Sequence, residues 1–310
     1  MSIKLTVVSK VPFKNGKTDN KYHLKMKGSA INHILVNTLR RVCLDLIPIH
    51  AFNSNDIQIK VNTSVYNNDI IRSRLSAFPI YNIKNNIDLV DDINKIQNKT
   101  LEEDSLEKLQ IFFSKKNTTT DIFHLTTDDC EFYMGDKKIE SIYNTPLLIV
   151  PLKPGQEIQG NCKSSIGIGL DSGIYHTTQI CCYEEKSDNE YLFKIESRGQ
   201  ISETDILKRA CLVIETKFSI LKEKFISKSL EGNELELSIV NEDHTLGNLL
   251  THYLQEHKSI LYAGYKIDHP LERVVDITLK SNGSRKMKTI IIETFDNIIS
   301  TFKKFRKLIK

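Results

Sequence analysis

The chain has 310 residues, 40% of them hydrophobic, which is enough for two or three domains with cores of their own. Its 43 basic and 39 acidic side chains leave a net charge of only +4, without the basic excess of a dedicated nucleic-acid binder. No apolar run approaches the ~18–20 residues of a membrane span, and the start, MSIKLTVVSKVPFKNGK, is broken by charges too often for a signal peptide, which leaves the six cysteines as reduced thiols.

From the N-terminus, residues 3–27 read as a hairpin turning at KNGK. SAINHILVNTLRRVCLDLIP then places Ile31, Ile34, Leu35, Leu39 and Val42 on one helical face, with Ser29 as the cap and Pro48 as the stop. Residues 51–66 return as a strand. The stretch 67–187 changes character: it is rich in Asn, Asp and Lys, with short apolar runs such as LLIVPLK and glycine turns such as GIGLDSG. It reads as a mixed α/β or mainly-β domain inserted into the first, with 91–108 a solvated helix or loop. Residues 190–200 form a strand. A long helix over 204–230 carries Ile206, Leu207, Ala210, Ile214, Phe218, Leu221 and Phe225 in phase, and Gly232 suits the left-handed position after it.

The last part opens with NEDHTLGNLLTHYL. Leu246, Leu249, Leu250, Tyr253 and Leu254 share one helix face, and Asp243 or Thr245 can cap its start. Strands over 259–267 and 273–281 flank the turn DHPLE. The stretch 288–310 is a long amphipathic helix, with Ile291, Phe295, Ile298, Ile299, Phe302, Phe305 and Ile309 in phase.

HILVNTLRR and HTLGNLLTH match at His33/His244, Leu35/Leu246, Asn37/Asn248 and Leu39/Leu250, at a constant offset of 211 residues. Each half also runs strand, helix, strands, long helix once the insertion is set aside, so the chain reads as two copies of one unit. Each copy needs a partner for its apolar helix face, and the other copy can supply it. The expected fold is α+β: two dimerisation units, 1–66 plus 188–230 and 231–310, packed as an intramolecular pseudo-dimer, the first carrying the inserted domain 67–187. The expected interface is Ile31, Ile34, Leu35, Leu39, Leu246, Leu249, Leu250, Tyr253, Phe295 and Phe302. Asn37 and Asn248, in phase between leucines, are expected to bond neighbouring backbone.

EDHTLGNLL with LYAGYKIDHPLE (242–250, 261–272) resembles the smaller α-like subunit of archaeal and eukaryotic multisubunit RNA polymerases. VNTLRRVCLDLIPIHAFNSNDIQIKVNTSV (36–65), 147–180 and LFKIESRGQI (192–201) resemble the larger one, in the same order. The resemblance covers nearly the whole chain, is thinnest at 81–146, and is to a fused form of the two subunits of the kind found in large DNA viruses. It implies a non-catalytic platform for the largest and second-largest polymerase subunits, beside other small subunits, meeting DNA only through the complex. It implies no cofactor, no membrane, and an intracellular setting in nucleus, cytoplasm or virion. It also implies that Arg40 and Arg41, replaced by Thr251 and His252 in the second copy, dock the second-largest subunit. Larger α-like subunits of eukaryotes often carry a zinc-binding cysteine cluster. Here roughly 81–130 holds only Cys130, so no metal is expected.

Two other readings remain open on sequence. One is a hydrolase or transferase in 67–187 using His124, His176 or Asp171. The other is a stand-alone nucleic-acid binder; the basic KKFRKLIK end could touch nucleic acid, but it reads better as the outer face of the helix that buries Phe302 and Phe305. Asp243–His244 lacks a neighbouring nucleophile and reads as a helix entry rather than an acid–base pair.

Overall fold

A computed structural model of the chain describes residues 2–11, 21–81, 90, 93–101, 108–227, 232–269 and 272–309. The KNGK turn, Glu231, and Pro270 and Leu271 of DHPLE lie outside the described residues. The first half begins with β1 (Lys4–Val11), β2 (Lys21–Lys27) and α1 (His33–Asp45). Next come β3 (Ile49–Asn62), α2 (Asn68–Ser76), α3 (Ile93–Gln97), β4 (Leu109–Lys116), β5 (Phe123–Thr126), β6 (Glu131–Met134), β7 (Lys137–Ile139), β8 (Leu148–Leu152) and β9 (Glu157–Gly167). The chain continues through β10 (Thr178–Ser187), β11 (Glu190–Ser197) and α4 (Glu203–Ile226). The second half is β12 (Glu234–Val240), α5 (His244–Gln255), β13 (Ile260–Lys266), β14 (Val274–Ser281) and α6 (Met287–Leu308).

Sheet order makes the repeat explicit. The first sheet runs β1-β2-β11-β10 and the second β12-β14-β13, with antiparallel neighbours throughout. With β2, β11 and β10 set against β12, β14 and β13, the two orders are the same. Each sheet buries one face, because alternate side chains point the same way. Tyr22, Leu24 and Met26 of β2 and Tyr191, Phe193 and Ile195 of β11 are buried in the first. Leu237, Ile239, Ala263, Val275, Ile277 and Leu279 are buried in the second. Gly247 lets α5 lie close on its sheet: a Cβ there would sit 2.7 Å from the Tyr265 ring and 2.9 Å from a Val275 methyl.

Several expectations need correction. Helix α1 starts after Asn32, whose side chain accepts from the Leu35 amide at 2.9 Å, whereas Ser29 bonds Ser2. Asn32 has the extended backbone of a cap and sits one residue before the first helical turn. Helix α4 ends with Ser227 as its cap, so the positive φ of Gly232 (95°) belongs to the approach to β12. Strand β3 pairs with β9, not with the first sheet, while β10, expected inside the insertion, pairs with β11.

The boundaries at 66 and 187 therefore do not coincide with the sheets. Strands β3 and β9 run from one core into another. Ile49, Ala51 and Ile166 belong to the core under the first sheet, and Phe52, Ile57, Ile158 and Cys162 to a second core. That second core is closed by a five-stranded sheet, β3-β9-β4-β6-β7, the pair β5-β8, and α2.

Of the stretch 91–108, expected as solvated helix or loop, 91–92 and 102–107 lie outside the described residues, and Ile93–Gln97 is helical with a buried face. Val90, Ile93 and Ile96 are buried in the first core, and α3 packs on α4. Ile93 and Ile96 are three apart, so they share a face of this single turn. The flanking polar residues masked that short signal.

Candidate functional site

The first core does not stop at the end of the first half. It runs continuously through Leu35, Leu39, Phe218 and Phe225 into Leu246, Leu250, Phe295 and Phe302. Four helices build this seam: α1 packs on α4 and α5, and α6 on α4 and α5. The Phe295 ring lies 5.7 Å from Phe218 and 5.7 Å from Phe225, tilted or edge-on as aromatic quadrupoles prefer. Ile31, Leu35, Leu39, Leu246, Leu249, Leu250, Tyr253, Phe295 and Phe302 are all buried in this core. Ile34 is only partly buried, packed at its rim. Each fully buried apolar side chain contributes about 1.5–3 kcal/mol.

Ion pairs cross the seam. Arg306 of α6 grips Glu215 of α4 bidentately, with Nε and Nη2 each 2.9 Å from a carboxylate oxygen. Lys222 reaches Asp296 at 2.6 Å on the outer side. Lys217 of α4 donates to Glu242 at 2.6 Å, and the two side chains are only 5% and 11% exposed. Burial pushes the Glu242 carboxyl up, and Lys217 pulls it back. Lys217 also donates to Gln97 Oε1 at 2.7 Å, while the Gln97 amide donates to the Asn241 carbonyl at 2.5 Å. Helix α3 thus clamps the seam from outside, a role that nothing in its polar sequence announced.

The α1–α5 contact carries two further bonds. Arg41 Nη2 donates to Asp243 Oδ2 at 2.9 Å. The Asn32 amide and His252 Nε2 are 2.8 Å apart. Asp243 is the N-cap of α5, its Oδ1 accepting from the Thr245 amide at 2.7 Å. Burial alone would raise the Asp243 carboxyl, but the bonds from Thr245 and the charges of Arg41 and Arg273 outweigh it and hold it below its ordinary value.

Arg41 is therefore paired with the other half of the chain. Its side chain leaves α1 beside the α5 N-terminus, where a carboxylate already sits. Arg40 stays half-buried at the edge, its Nε donating to Asn37 Oδ1 at 3.0 Å. Asn37 is thus half-buried and holds an arginine, not neighbouring backbone, and Asn248 is also only half-buried.

The alternative enzyme residues are not assembled into a site. His124 is exposed on β5, Asp171 is exposed in a turn, and His176 faces Asp45 at 3.8 Å. A cleft of about 1010 Å³ beside α2, lined by Asn53, Asp69, Arg72, Ser76 and Arg198 among others, holds neither histidine nor cysteine. His244 is exposed and 3.3 Å from the Tyr265 hydroxyl. Burial pushes the thiols of Cys43, Cys162 and Cys211 far up and that of Cys130 to about 12. Among the described residues no three His, Cys, Asp or Glu side chains gather as a metal site would need. No helix among them is long and apolar enough to cross a membrane.

A profile of the RNA polymerase Rpb3/Rpb11 dimerisation domain matches residues 28–218, and another of the same description matches residues 234–308. The chain belongs to the Rpb3/Rpb11 family. It is similar to a chain of Acanthamoeba polyphaga mimivirus described as a DNA-directed RNA polymerase subunit, 26% identical over 286 residues, covering 82% of this chain and 80% of that one. The RNA polymerase subunit Rpo3 of Methanocaldococcus jannaschii is 27% identical over 187 residues, 58% of this chain and 79% of its own length. Subunit Rpo11 of Saccharolobus solfataricus is 37% identical over 68 residues, 22% of this chain and 74% of its own length. Two Rpb3/Rpb11 units in one chain make this a non-catalytic assembly subunit of a DNA-directed RNA polymerase, whose catalysis lies in other subunits.

Proposed function

We propose that this chain closes on itself into a pre-paired platform on which the largest and second-largest polymerase subunits assemble, with other small subunits beside them and DNA met only through the complex. The supporting observation is the continuous core across the seam, with four ion pairs linking the halves. Pairing that separate chains reach by association is here intramolecular, at an effective concentration in the mM range for a short connection. We assign residues 2–48 plus 168–227 to the first unit, 49–167 to the insertion and 232–309 to the second unit. Arg40, half-buried at the edge of the stripe with its Nε on Asn37 Oδ1, is the residue assigned to the second-largest subunit. An intracellular setting, in cytoplasm, nucleus or virion, fits the viral relative.

Capture of the tagged chain from its native cell, read by mass spectrometry, is the direct test. The reading expects two large polymerase chains at near-equal stoichiometry. Capture of no large chain would refute it. Arg40→Ala should weaken that capture tenfold or more while lowering the melting of the isolated chain only slightly, since it removes one hydrogen bond worth about 1 kcal/mol at the edge of the core.

A further inference from the structure

The two polar bonds between α1 and α5 are one contact seen twice. The 211-residue offset that aligns His33 with His244 also aligns Asn32 with Asp243 and Arg41 with His252. Asn32 and Asp243 are the N-caps of α1 and α5. Each cap meets the residue nine positions along the other helix: Asp243 meets Arg41 at 2.9 Å, and Asn32 meets His252 at 2.8 Å. In a two-fold interface residue i meets j and j meets i, so both contacts would be identical in a homodimer. Here they are chemically different: one pairs a guanidinium with a carboxylate, the other an amide with an imidazole.

We infer that the Asn32, Asp243, Arg41 and His252 quartet makes pairing selective for unlike halves, a conclusion that rests on the platform reading above. Two first halves facing each other would place Arg41 against Asn32 twice, leaving its half-buried guanidinium with the charge of Asp45 on its own helix but no carboxylate across the seam. Two second halves would place His252 against Asp243 twice, with no arginine. Only the unlike pair joins Arg41 to a carboxylate of the facing half. The Lys217–Glu242 pair adds to this. At the same offset Glu242 aligns with Ile31, so two first halves would also leave the buried Lys217 without the carboxylate it meets here. Discrimination of this kind works through the mismatch built against the wrong partner as much as through the match. Selection matters while many chains are being made together, because each first half is complete before its own second half and can meet the first half of a neighbour.

The test uses full-length chains and partner choice. Arg41→Asp places two carboxylates in contact within a chain, and Asp243→Arg places two guanidinium groups there. The combination Arg41→Asp/Asp243→Arg restores opposite charges with the sense reversed. Each single variant should melt below the native chain, and the double variant should melt close to it. Co-expressed with differently tagged copies, the Arg41→Asp chain should capture the Asp243→Arg chain at least tenfold better than it captures itself, because exchanged halves restore both pairs. The double variant should remain a monomer. Equal capture of both partners, or a double variant no more stable than the single ones, would overturn the inference. If the single variants do not accumulate alone, their co-expression and the double variant still decide it. Capture of large polymerase chains by the native protein in the same cells keeps the platform reading separately testable.

Discussion

The molecule has two cores, and they are built on different plans. The seam core is mainly helical at its centre, spans both halves, and is crossed by buried and half-buried ion pairs. The inserted core is mainly β and is knit by aromatic edges, with Phe78, Tyr81 and Phe132 each about 6 Å from the Tyr143 ring. Two strands, β3 and β9, are shared between them. The contrast shows where assembly is encoded. The inserted core closes on apolar residues from one continuous stretch of chain, whereas the seam couples two repeats through residues far apart in sequence, and so fixes which half meets which.

The largest expected effect breaks the seam while sparing the insertion. Leu246→Asp/Leu250→Asp removes two buried leucines, worth about 1.5–3 kcal/mol each, and adds two carboxylates with no counter-charge. The second half should unfold in native buffer. Amide exchange should then be fast across 232–309 while β4 and β9 stay protected, and equal loss of protection in both regions would merge the two cores into one. The converse change is Phe113→Ala. This ring is 2% exposed in the inserted core, and its loss should cost that core about 3–5 kcal/mol. Melting should split into two transitions, with only the first displaced.

Lys217→Met probes the charge chemistry of the seam. It strands Glu242 in a site where its partner was 5% exposed, which should cost about 3–5 kcal/mol in urea unfolding. Adding Glu242→Leu should recover most of that, because a buried pair replaced as a whole by apolar groups is often neutral.

Asp243→Asn has the smallest effect, since asparagine caps a helix as well as aspartate does. It removes only the charge facing Arg41, and with the two side chains 34% and 27% exposed the cost should be about 1 kcal/mol. The native carboxyl is held below its ordinary value, so its contribution is complete above the unfolded aspartate value of about 3.9 and is lost as pH falls through the lower native one. The difference between native and Asp243→Asn chains should hold from pH 7 to about 4 and close below that. A difference that widened on acidification would carry the wrong sign.

Much of this seam was legible because helical amphipathicity is local. The stripes on α1, α5 and α6 follow from spacings of three and four residues, and the repeat from one constant offset. The partner of β3 was not legible, since pairing between strands so far apart in sequence leaves no local mark, whereas β10 pairs with the adjacent β11 and was misplaced because the boundary expected at 187 cut through that hairpin. The pairing of Arg41 with Asp243 was not legible because the two lie 202 positions apart. Asn32 lost to Ser29 as the expected cap because both are good capping residues and only backbone geometry chooses between them. Ile93 and Ile96 were hidden by a polar neighbourhood too short to show a period.

The central claim is that both halves of the pair come from one chain and hold each other. A specific protease site placed in the connection at 228–231 would allow the folded 35.6 kDa chain to be cut and its sedimentation measured at micromolar concentration. The account predicts that the cut pieces sediment together as a single particle of the original mass. Separation into two slower species would contradict it.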